Sequence, residues 1–209
     1  MNRVDFTLYL ITDRHQTGGR PLPDVIEETL KGGVRAVQLR EKDLSPRELL
    51  DLARTMREVT ARHGARLFIN DRVDIALASG ADGVHLGEAS IPADEARKIL
   101  GPDRFIGVSC HSHDGALAAQ DAGADFITFG PVYPTPTKAA YGDPVGLEQL
   151  TEAAQLLRIP VFALGGIKKS NANEVVAAGA AGIALISAII SADSPQEEAL
   201  ALLSLLKSR

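Results

Sequence analysis

Three polar side chains mark the end of an apolar run near the start of the chain. The run Val34–Leu39 passes into charged residues, and Gln38, Arg40 and Lys42 alternate along it. Residues two apart on a strand share a face, so an amide, a guanidinium and an ammonium group would point toward one anionic ligand. Since the carboxyl end of a buried parallel strand opens onto the ligand crevice, the stretch predicts an anion site. An ordinary solvated loop is the alternative.

Two further segments carry groups suited to metal binding and proton transfer. Asn70 and Asp71 follow the apolar run Leu67–Ile69. A carboxylate there suits Mg²⁺, which takes one or two protein carboxylates and fills its other positions with water and substrate phosphate. His111 and His113 follow another apolar run, and a histidine titrates near neutrality, so one of them could act as a general acid or base. A zinc site there would lack further ligands of suitable spacing.

Phosphate-binding groups follow the later apolar runs. After Phe129 no helical pattern resumes until about Leu147, and loops this long in α/β units usually carry function. Within that loop, Thr135, Thr137 and Lys138 offer two hydroxyls and an ammonium to a phosphate monoester. The next two runs end in a second set of candidates, Gly165, Gly166, Ile186 and Ser187. Loops at these places in barrels commonly bind phosphate through backbone N–H groups and a short helix.

Composition excludes several classes of function. The chain has 209 residues, a net charge of −5 and a single cysteine. An internal disulfide and a cysteine-based metal site are therefore excluded, and we expect Cys110 to be a small buried residue. A nucleic-acid partner is not expected, because phosphate backbones need a clustered excess of Lys and Arg. The start of the chain lacks the features of a signal peptide, and no apolar run approaches the length of a membrane span, which predicts a soluble, cytoplasmic protein with no membrane partner.

The elements that must position these residues alternate between strand-like and helix-like patterns. Amphipathic helices such as Ser45–His63 and Pro195–Lys207 separate the apolar runs, and Ser45 and Ser194 each precede a proline, with Glu three residues after the serine. We predict one domain, residues 1–209, folded as a (β/α)8 TIM barrel. The eight predicted strands are Leu8–Thr12, Ala36–Leu39, Leu67–Ile69, Gly83–Leu86, Phe105–Val108, Phe126–Phe129, Val161–Leu164 and Ile183–Ile186.

A repeated sequence pattern, in which a glycine leads into an apolar run, precedes each even-numbered strand. Five residues beyond each glycine lie residues expected to form one interior layer: Gln38, His85, Thr128 and Ala184. Two residues further come residues expected to form the floor of a ligand site: Arg40, Gly87, Gly130 and Ile186. The glycines would leave this floor open. His85 is either a catalytic group or, more commonly at such a position, a hydrogen-bonded core residue.

Together these segments resemble thiamine phosphate synthase and its TenI-type relatives. The likeness runs from Tyr9 onward and includes the motifs Gln38–Lys42, Gly130–Lys138 and Gly165–Ile167. It implies that an aminopyrimidine methyl diphosphate loses pyrophosphate and is captured by the nitrogen of a thiazole phosphate. The implied ligands of the diphosphate substrate are Gln38, Arg40, Lys42, Asn70 and Ser109. The implied ligands of the thiazole phosphate are Thr135, Thr137, Lys138, Gly166, Ile186 and Ser187.

The resemblance also implies a Mg²⁺ ion bound by Asp71, but the sequence departs from the synthase pattern at Ser90. The pattern normally supplies a second metal-binding aspartate at this place. Serine is a poor magnesium ligand, so either Glu88 replaces the aspartate or the ion rests on Asp71 and the diphosphate alone. The residues expected to act in catalysis are Arg40, Lys42, Ser109, His111 and Lys138.

Two other functions fit the same pattern. A TenI-type tautomerase would move a proton on a thiazole carboxylate phosphate without a metal, using His111 as acid and base and Arg40 with Lys42 as carboxylate ligands. The third hypothesis is that the protein is a non-catalytic sensor of phosphorylated ligands. Barrels of this kind often pair, so a homodimer is expected.

Overall fold

The computed structural model describes residues 3–135 and 143–206, in which eight parallel strands close into a barrel in sequence order. The strands are β1 Leu8–Ile11, β2 Ala36–Leu39, β3 Arg66–Asn70, β4 Gly83–Leu86, β5 Phe105–Cys110, β6 Phe126–Phe129, β7 Val161–Leu164 and β8 Gly182–Leu185. Because β1 pairs with both β2 and β8, the sheet closes on itself. The predicted (β/α)8 barrel is confirmed. The predicted bounds of β1 and β8 are one residue too long at the carboxyl end, so Thr12 and Ile186 lie just outside the sheet.

Helices follow the strands and pack their apolar sides around the sheet. They are α1 Leu22–Lys31, α2 Pro46–Arg62, α3 Val73–Ser79, α4 Ala93–Leu100, α5 His113–Asp121, α6 Gly146–Leu156, α7 Ala172–Ala177, α8 Ser187–Ile190 and α9 Pro195–Leu206. Both predicted serine caps are confirmed: Ser45 and Glu48 form a capping box, and the Ser194 hydroxyl accepts the Glu197 N–H at 3.4 Å. Among the described residues, no helix is long and apolar enough to cross a membrane.

Aromatic rings fill the amino-terminal part of the barrel interior. The ring of Phe6, which precedes β1, lies with its centroid 5.2–5.9 Å from those of Tyr9, Phe68, Phe126 and Phe162. These distances are those of stacked and edge-to-face aromatic pairs, which contribute beyond their burial alone. The rings close this end of the barrel, so a ligand must enter from the opposite end.

The predicted interior layer above the rings is buried. Gln38, His85 and Thr128 are 1%, 2% and 1% exposed, and Ala184 is fully buried. Of the two glycines expected to open the floor above this layer, Gly87 meets the expectation, since a Cβ there would contact nothing closer than 3.8 Å.

The expectation for Gly130 is wrong. Its φ is +157°, and an added Cβ would lie 2.0 Å from the Leu164 carbonyl oxygen. Glycine is required at this position by the close approach of two backbones. It therefore contributes no open space to the floor.

Two aspartates at the amino ends of β4 and β6 join neighbouring strands in the same way. Asp82 accepts the Leu67 N–H at 2.8 Å and the Arg57 guanidinium at 2.5 Å. Asp125 accepts the Ile106 N–H at 2.7 Å. Arg97 supplies the guanidinium for Asp125, at 2.7 Å. Each carboxylate thus ties the preceding strand to a helix on the outside of the barrel.

We expect Asp82→Ala and Asp125→Ala each to lower the free energy of unfolding by about 1–3 kcal/mol, because each leaves a strand N–H without its acceptor and removes the ion pair to Arg57 or Arg97. Urea unfolding followed by circular dichroism measures the loss. Asp51→Ala, at an exposed position on α2, is the matched control and should change stability by less than about 0.5 kcal/mol. Equal losses in all three variants would contradict a specific role for the two strand-linking carboxylates.

Candidate active site at the carboxyl ends of the strands

The carboxyl ends of all eight strands lie at one rim of the barrel, because every strand pair is parallel. The predicted site residues that this rim brings to one end of the molecule are Gln38, Arg40, Lys42, Asn70, Asp71, Glu88, Ser109, His111, Thr135, Gly166, Ile186 and Ser187. Thr137 and Lys138 fall outside the described residues. Their predicted roles at a phosphate remain predictions.

Glu41, which separates the two cations after β2, is buried and joins the first two strand ends. Its carboxylate accepts the Thr12 hydroxyl at 2.6 Å, and the backbone N–H and guanidinium of Arg14 at 3.2 Å. The Thr12 hydroxyl oxygen accepts the Arg40 N–H at 2.9 Å. Arg14 also donates to Asp43, and this bond holds the pKa of the Asp43 carboxyl well below its usual range. The backbone of Arg40 is therefore anchored through Thr12 to a buried carboxylate.

The predicted alternation of Gln38, Arg40 and Lys42 along one strand face is wrong. Strand β2 ends at Leu39, so Arg40 and Lys42 lie beyond it, and the Glu41 side chain between them accepts the Thr12 hydroxyl. Gln38 is buried, and its amide donates to the Tyr9 hydroxyl at 3.2 Å. Lys42 lies in an exposed turn. A substrate contact from each of these side chains remains a prediction, but they do not form one row.

Gln38 begins a buried chain of hydrogen bonds that leads to Ser109. Because the Tyr9 oxygen accepts from Gln38, its proton points to Nδ1 of His85 at 3.3 Å. Nε2 of His85 lies 3.0 Å from the Ser109 oxygen, and Thr128 donates to that oxygen at 3.3 Å. Burial raises the pKa of Tyr9 well above its ordinary value, which keeps the phenol protonated. This arrangement agrees with the interpretation of His85 as a hydrogen-bonded core residue.

The Asp71 carboxylate is held at the end of β3. Its Oδ1 accepts the Ser90 hydroxyl and, at 3.3 Å, the Gly87 N–H, while Oδ2 accepts the Asn70 amide at 2.6 Å. The Asp71 backbone has φ +60°, and this value is the only positive φ of a non-glycine among the described residues. Left-handed backbone in a non-glycine residue is uncommon and tends to occur at functional sites. The carboxylate is therefore preorganised rather than mobile.

Ser90 faces Asp71 from the loop after β4, at the position where the synthase pattern has a second metal-binding aspartate. Its oxygen also accepts the Gly87 N–H at 2.7 Å, so the serine is locked to both loops. Glu88 is exposed, and its charge contributes to raising the pKa of Cys110. No group of three or more His, Cys, Asp or Glu side chains arranged to hold a metal occurs in residues 3–135 and 143–206. One carboxylate with a neighbouring hydroxyl fits Mg²⁺ that takes most of its ligands from water and phosphate.

His111 follows β5 and its orientation is set by β6. Nδ1 donates to the Gly130 carbonyl, which can only accept, so the lone pair of the neutral ring lies on Nε2. This is the tautomer that a general base at Nε2 requires. His113 lies elsewhere: its ring stacks on Phe129 with a centroid distance of 5.7 Å, and Nε2 donates to the Gln149 carbonyl at 2.9 Å. Of the two histidines, His111 is the one placed at the rim.

Cys110 is buried, as predicted, and burial raises the pKa of its thiol to about 12. Because the thiolate is the reactive form, we expect the native protein at pH 8 to react with an aromatic disulfide reagent at least about 100-fold more slowly than the urea-unfolded chain. Release of the coloured thiolate measures both rates. Equal rates in the two states would show that the thiol is accessible and ionised in the native protein.

The loop after β6 begins by pairing with the end of β7. The Val132 N–H donates to the Leu164 carbonyl at 2.8 Å, and the Tyr133 N–H donates to the Gly165 carbonyl at 3.1 Å. Further along, Thr135 has a buried hydroxyl oxygen with no hydrogen-bond partner in the described part of the chain. A buried hydroxyl without a partner is costly, and binding a ligand oxygen would relieve that cost.

Backbone N–H groups at the next two strand ends form the second half of the predicted phosphate site. The Gly165–Gly166 turn follows β7, with φ values of +100° and +67°. Helix α8 begins at Ser187, and no side chain caps it. The first N–H groups of a helix have no partner within the helix, so those of Ser187 and Ala188 can donate to an anion.

Sequence reasoning missed several residues that shape the site. Thr12, Glu41 and Asn171 make side-chain hydrogen bonds that anchor Arg40 or the glycine turn. Two of these roles had a weak indication in the sequence, because Thr12 ends an apolar run and Glu41 lies between two cations. Asn171 had no such indication, because the path of the loop determines which residue its side chain meets.

Comparisons with known proteins agree with this geometry. The family model described as thiamine monophosphate synthase matches residues 8–189. A provisionally named thiamine-phosphate synthase of Geobacter sulfurreducens is 67% identical, covering 100% of this chain and 98% of its own. Thiamine-phosphate synthase of Clostridium novyi is 47% identical, covering 92% and 95%. The solved thiamine phosphate pyrophosphorylase of Pyrococcus furiosus superposes with a TM-score of 0.89 at 39% identity, covering 97% and 96%. On these findings the chain belongs to the thiamine monophosphate synthase family.

Proposed function

We propose that this protein is a thiamine-phosphate synthase, a transferase that joins an aminopyrimidine methyl diphosphate to a thiazole phosphate. The bond between the pyrimidine methylene carbon and the diphosphate oxygen breaks, and the thiazole nitrogen forms the new bond to that carbon. The observation that carries the proposal is the Asp71 carboxylate, held by Asn70, Gly87 and Ser90 at the rim. A fixed acidic group suits a cation-dependent diphosphate reaction, whereas a proton transfer on a thiazole has no use for it.

The residues near β2 and β5 would act on the diphosphate. Arg40 can form a two-pronged hydrogen-bonded pair with phosphate oxygens, and its backbone is fixed through Thr12. Lys42 adds an exposed ammonium, and Ser109 adds a hydroxyl that is held by hydrogen bonds with His85 and Thr128. Negative charge grows on the departing pyrophosphate, so donors already in place lower the barrier without a general acid or base.

We propose Mg²⁺ as the cofactor, held by Asp71 with Glu88 or the substrate diphosphate supplying a further ligand. The ion would supply positive charge to the diphosphate oxygens. Asp71 fits this role because its carboxylate is positioned by donors that leave a lone pair on Oδ2. Ser90 donates to Asp71 and adds no charge. We therefore expect weak metal binding before the diphosphate arrives.

Ser90→Asp is expected to tighten Mn²⁺ binding to the substrate-free protein by about tenfold or more, because a second carboxylate would face Asp71. Electron paramagnetic resonance of unbound Mn²⁺ measures the affinity without any turnover. Ala89→Asp adds the same charge at the exposed neighbouring position and is the matched control. If both variants bind Mn²⁺ equally well, net charge rather than the geometry at Asp71 governs metal binding.

The thiazole phosphate would bind between the loops that follow β6, β7 and β8. Thr135 contributes its unpartnered hydroxyl, Gly166 and Ser187 contribute backbone N–H groups, and Ile186 would contact the ring. Thr137 and Lys138 complete the predicted set from outside the described residues. Hydroxyl and backbone N–H donors suit the oxygens of a phosphate monoester, and Lys138 would add a positive charge.

The proposed function is tested by mixing the protein with both substrates and Mg²⁺ and following thiamine phosphate by its fluorescent oxidation product. An EDTA sample is the control. We expect product only in the presence of the metal. No product from folded protein that binds both substrates would overturn the proposal.

A TenI-type thiazole tautomerase is the second candidate, and the orientation of His111 favours it. The ring carries its lone pair on Nε2, as an acid and base for proton transfer requires. In that reading Arg40 and Lys42 would hold the thiazole carboxylate, and activity would be indifferent to EDTA. A sensor would bind phosphorylated ligands tightly but would catalyse neither the synthase reaction nor the tautomerase reaction.

The proposal also covers the domain organisation, the class of substrate, the cellular location and the oligomeric state. We propose one domain spanning residues 1–209, small phosphorylated substrates, a cytoplasmic location and a homodimer. Sedimentation equilibrium at micromolar concentration tests the dimer, which should give twice the 22.1 kDa chain mass.

A further inference from the structure

The glycine turn after β7 is held from two sides. On one side, an added Cβ at Gly166 would lie 2.6 Å from the Tyr133 Cβ, so the loop after β6 packs directly on the turn. The Tyr133 N–H donates to the Gly165 carbonyl at 3.1 Å. Tyr133 is itself fastened to α7, because its hydroxyl donates to Glu174 at 2.8 Å.

Asn171 holds the other side of the turn. Its amide nitrogen donates to the Gly166 carbonyl at 3.1 Å, and its amide oxygen accepts the Lys168 N–H at 2.7 Å. Asn171 is the residue before α7, yet its side chain does not cap that helix. Both of its hydrogen-bonding groups are directed back to the segment between β7 and α7.

Fixing these carbonyls fixes the neighbouring N–H groups, because each peptide unit is planar and trans. The Gly165 carbonyl, held by Tyr133, sets the direction of the Gly166 N–H. The Gly166 carbonyl, held by Asn171, sets the direction of the Ile167 N–H. Without these bonds the turn could rotate its peptide planes, since glycine has little steric preference for one φ. Preorganised donors bind an anion more tightly than donors that must first be ordered.

We infer that Asn171 is a positioning residue for the substrate phosphate monoester: it orients the N–H groups of the glycine turn without touching the ligand. The inference rests on the proposed function, in which this turn binds the thiazole phosphate. It predicts a selective effect. Loss of Asn171 should weaken binding of the thiazole phosphate, while the affinity for the pyrimidine diphosphate, which binds across the rim, should stay unchanged.

Steady-state kinetics of Asn171→Ala and Asn171→Asp test this inference. Asn171→Asp keeps the acceptor for the Lys168 N–H but removes the donor to Gly166. We expect both variants to raise KM for the thiazole phosphate about 5- to 10-fold, the effect of one lost hydrogen bond. The KM for the pyrimidine diphosphate and the kcat at saturation should change less than about twofold. Asn173→Ala, at an exposed position on the same helix, is the matched control and should behave as wild type.

A second readout separates positioning from general loosening. Inorganic phosphate should inhibit competitively with the thiazole phosphate, and its inhibition constant should rise in both Asn171 variants by the same factor as KM. Unchanged KM values, or equal increases for both substrates, would overturn the inference even in an active enzyme. Lack of activity in the wild type would instead overturn the proposed function. Should Asn171→Ala fail to fold, the isosteric Asn171→Asp decides.

Discussion

Replacing Asp71 with alanine is expected to lower kcat/KM for thiamine phosphate formation by at least about 10³-fold, because it removes the carboxylate proposed to hold Mg²⁺ against the diphosphate. The fold should survive, since Asp71 lies at the rim rather than in the core. The assay is product formation over a range of Mg²⁺ concentrations. Excess Mg²⁺ should restore little activity, because no other described carboxylate occupies this position.

Asp74→Ala is the matched control for this substitution. Asp74 lies in the first turn of α3, where it pairs with Arg72 at 2.8 Å and is exposed. We expect its loss to change kcat/KM less than about twofold.

His111→Ala distinguishes the synthase from the tautomerase. A synthase needs no general base, so this variant should keep its activity within about tenfold of wild type. Retained activity in Asp71→Ala together with lost activity in His111→Ala would replace the synthase by the tautomerase.

Glu41→Ala is expected to reduce both stability and catalysis. The substitution leaves the Thr12 hydroxyl and the Arg14 N–H without their buried acceptor, which should lower the free energy of unfolding by about 3 kcal/mol. For a chain of this size that corresponds to a fall in Tm of about 6–12 °C. Because Thr12 anchors the Arg40 N–H, the guanidinium should shift and kcat/KM for the pyrimidine diphosphate should fall about 100-fold.

Calorimetry and steady-state kinetics at a temperature well below the lowered Tm separate the two effects. Glu58→Ala, an exposed glutamate on α2, is the control and should leave both quantities within about 0.5 kcal/mol and twofold of wild type. Stability lost without any change in the diphosphate KM or kcat would mean that Arg40 keeps its position without Glu41. The buried carboxylate would then serve the fold alone.

The architecture, and the end of the barrel that carries the predicted site residues, follow from local sequence patterns. Apolar runs of three to five residues alternate with amphipathic helices, of which two have starts marked by Ser45 and Ser194, and these patterns depend only on neighbouring residues. Parallel strands then place every strand's carboxyl end at one rim, so Asp71, His111 and Ser187 had to share it. Helix caps and strand periodicity are local, which is why they could be predicted.

The contacts of each polar residue at the rim, by contrast, depend on the folded chain. Glu41 meets Thr12 and Arg14 across a gap of 27 or more positions, and Ser90 meets Asp71 across 19. Whether such side chains face a ligand or each other depends on strand register and loop path, which the spacing of residues does not encode. The same reason explains why the hydrogen-bond partner of Gln38, Tyr9, could not be predicted, although its place in the interior layer could. It also explains why Gly130 serves a backbone approach rather than an open floor.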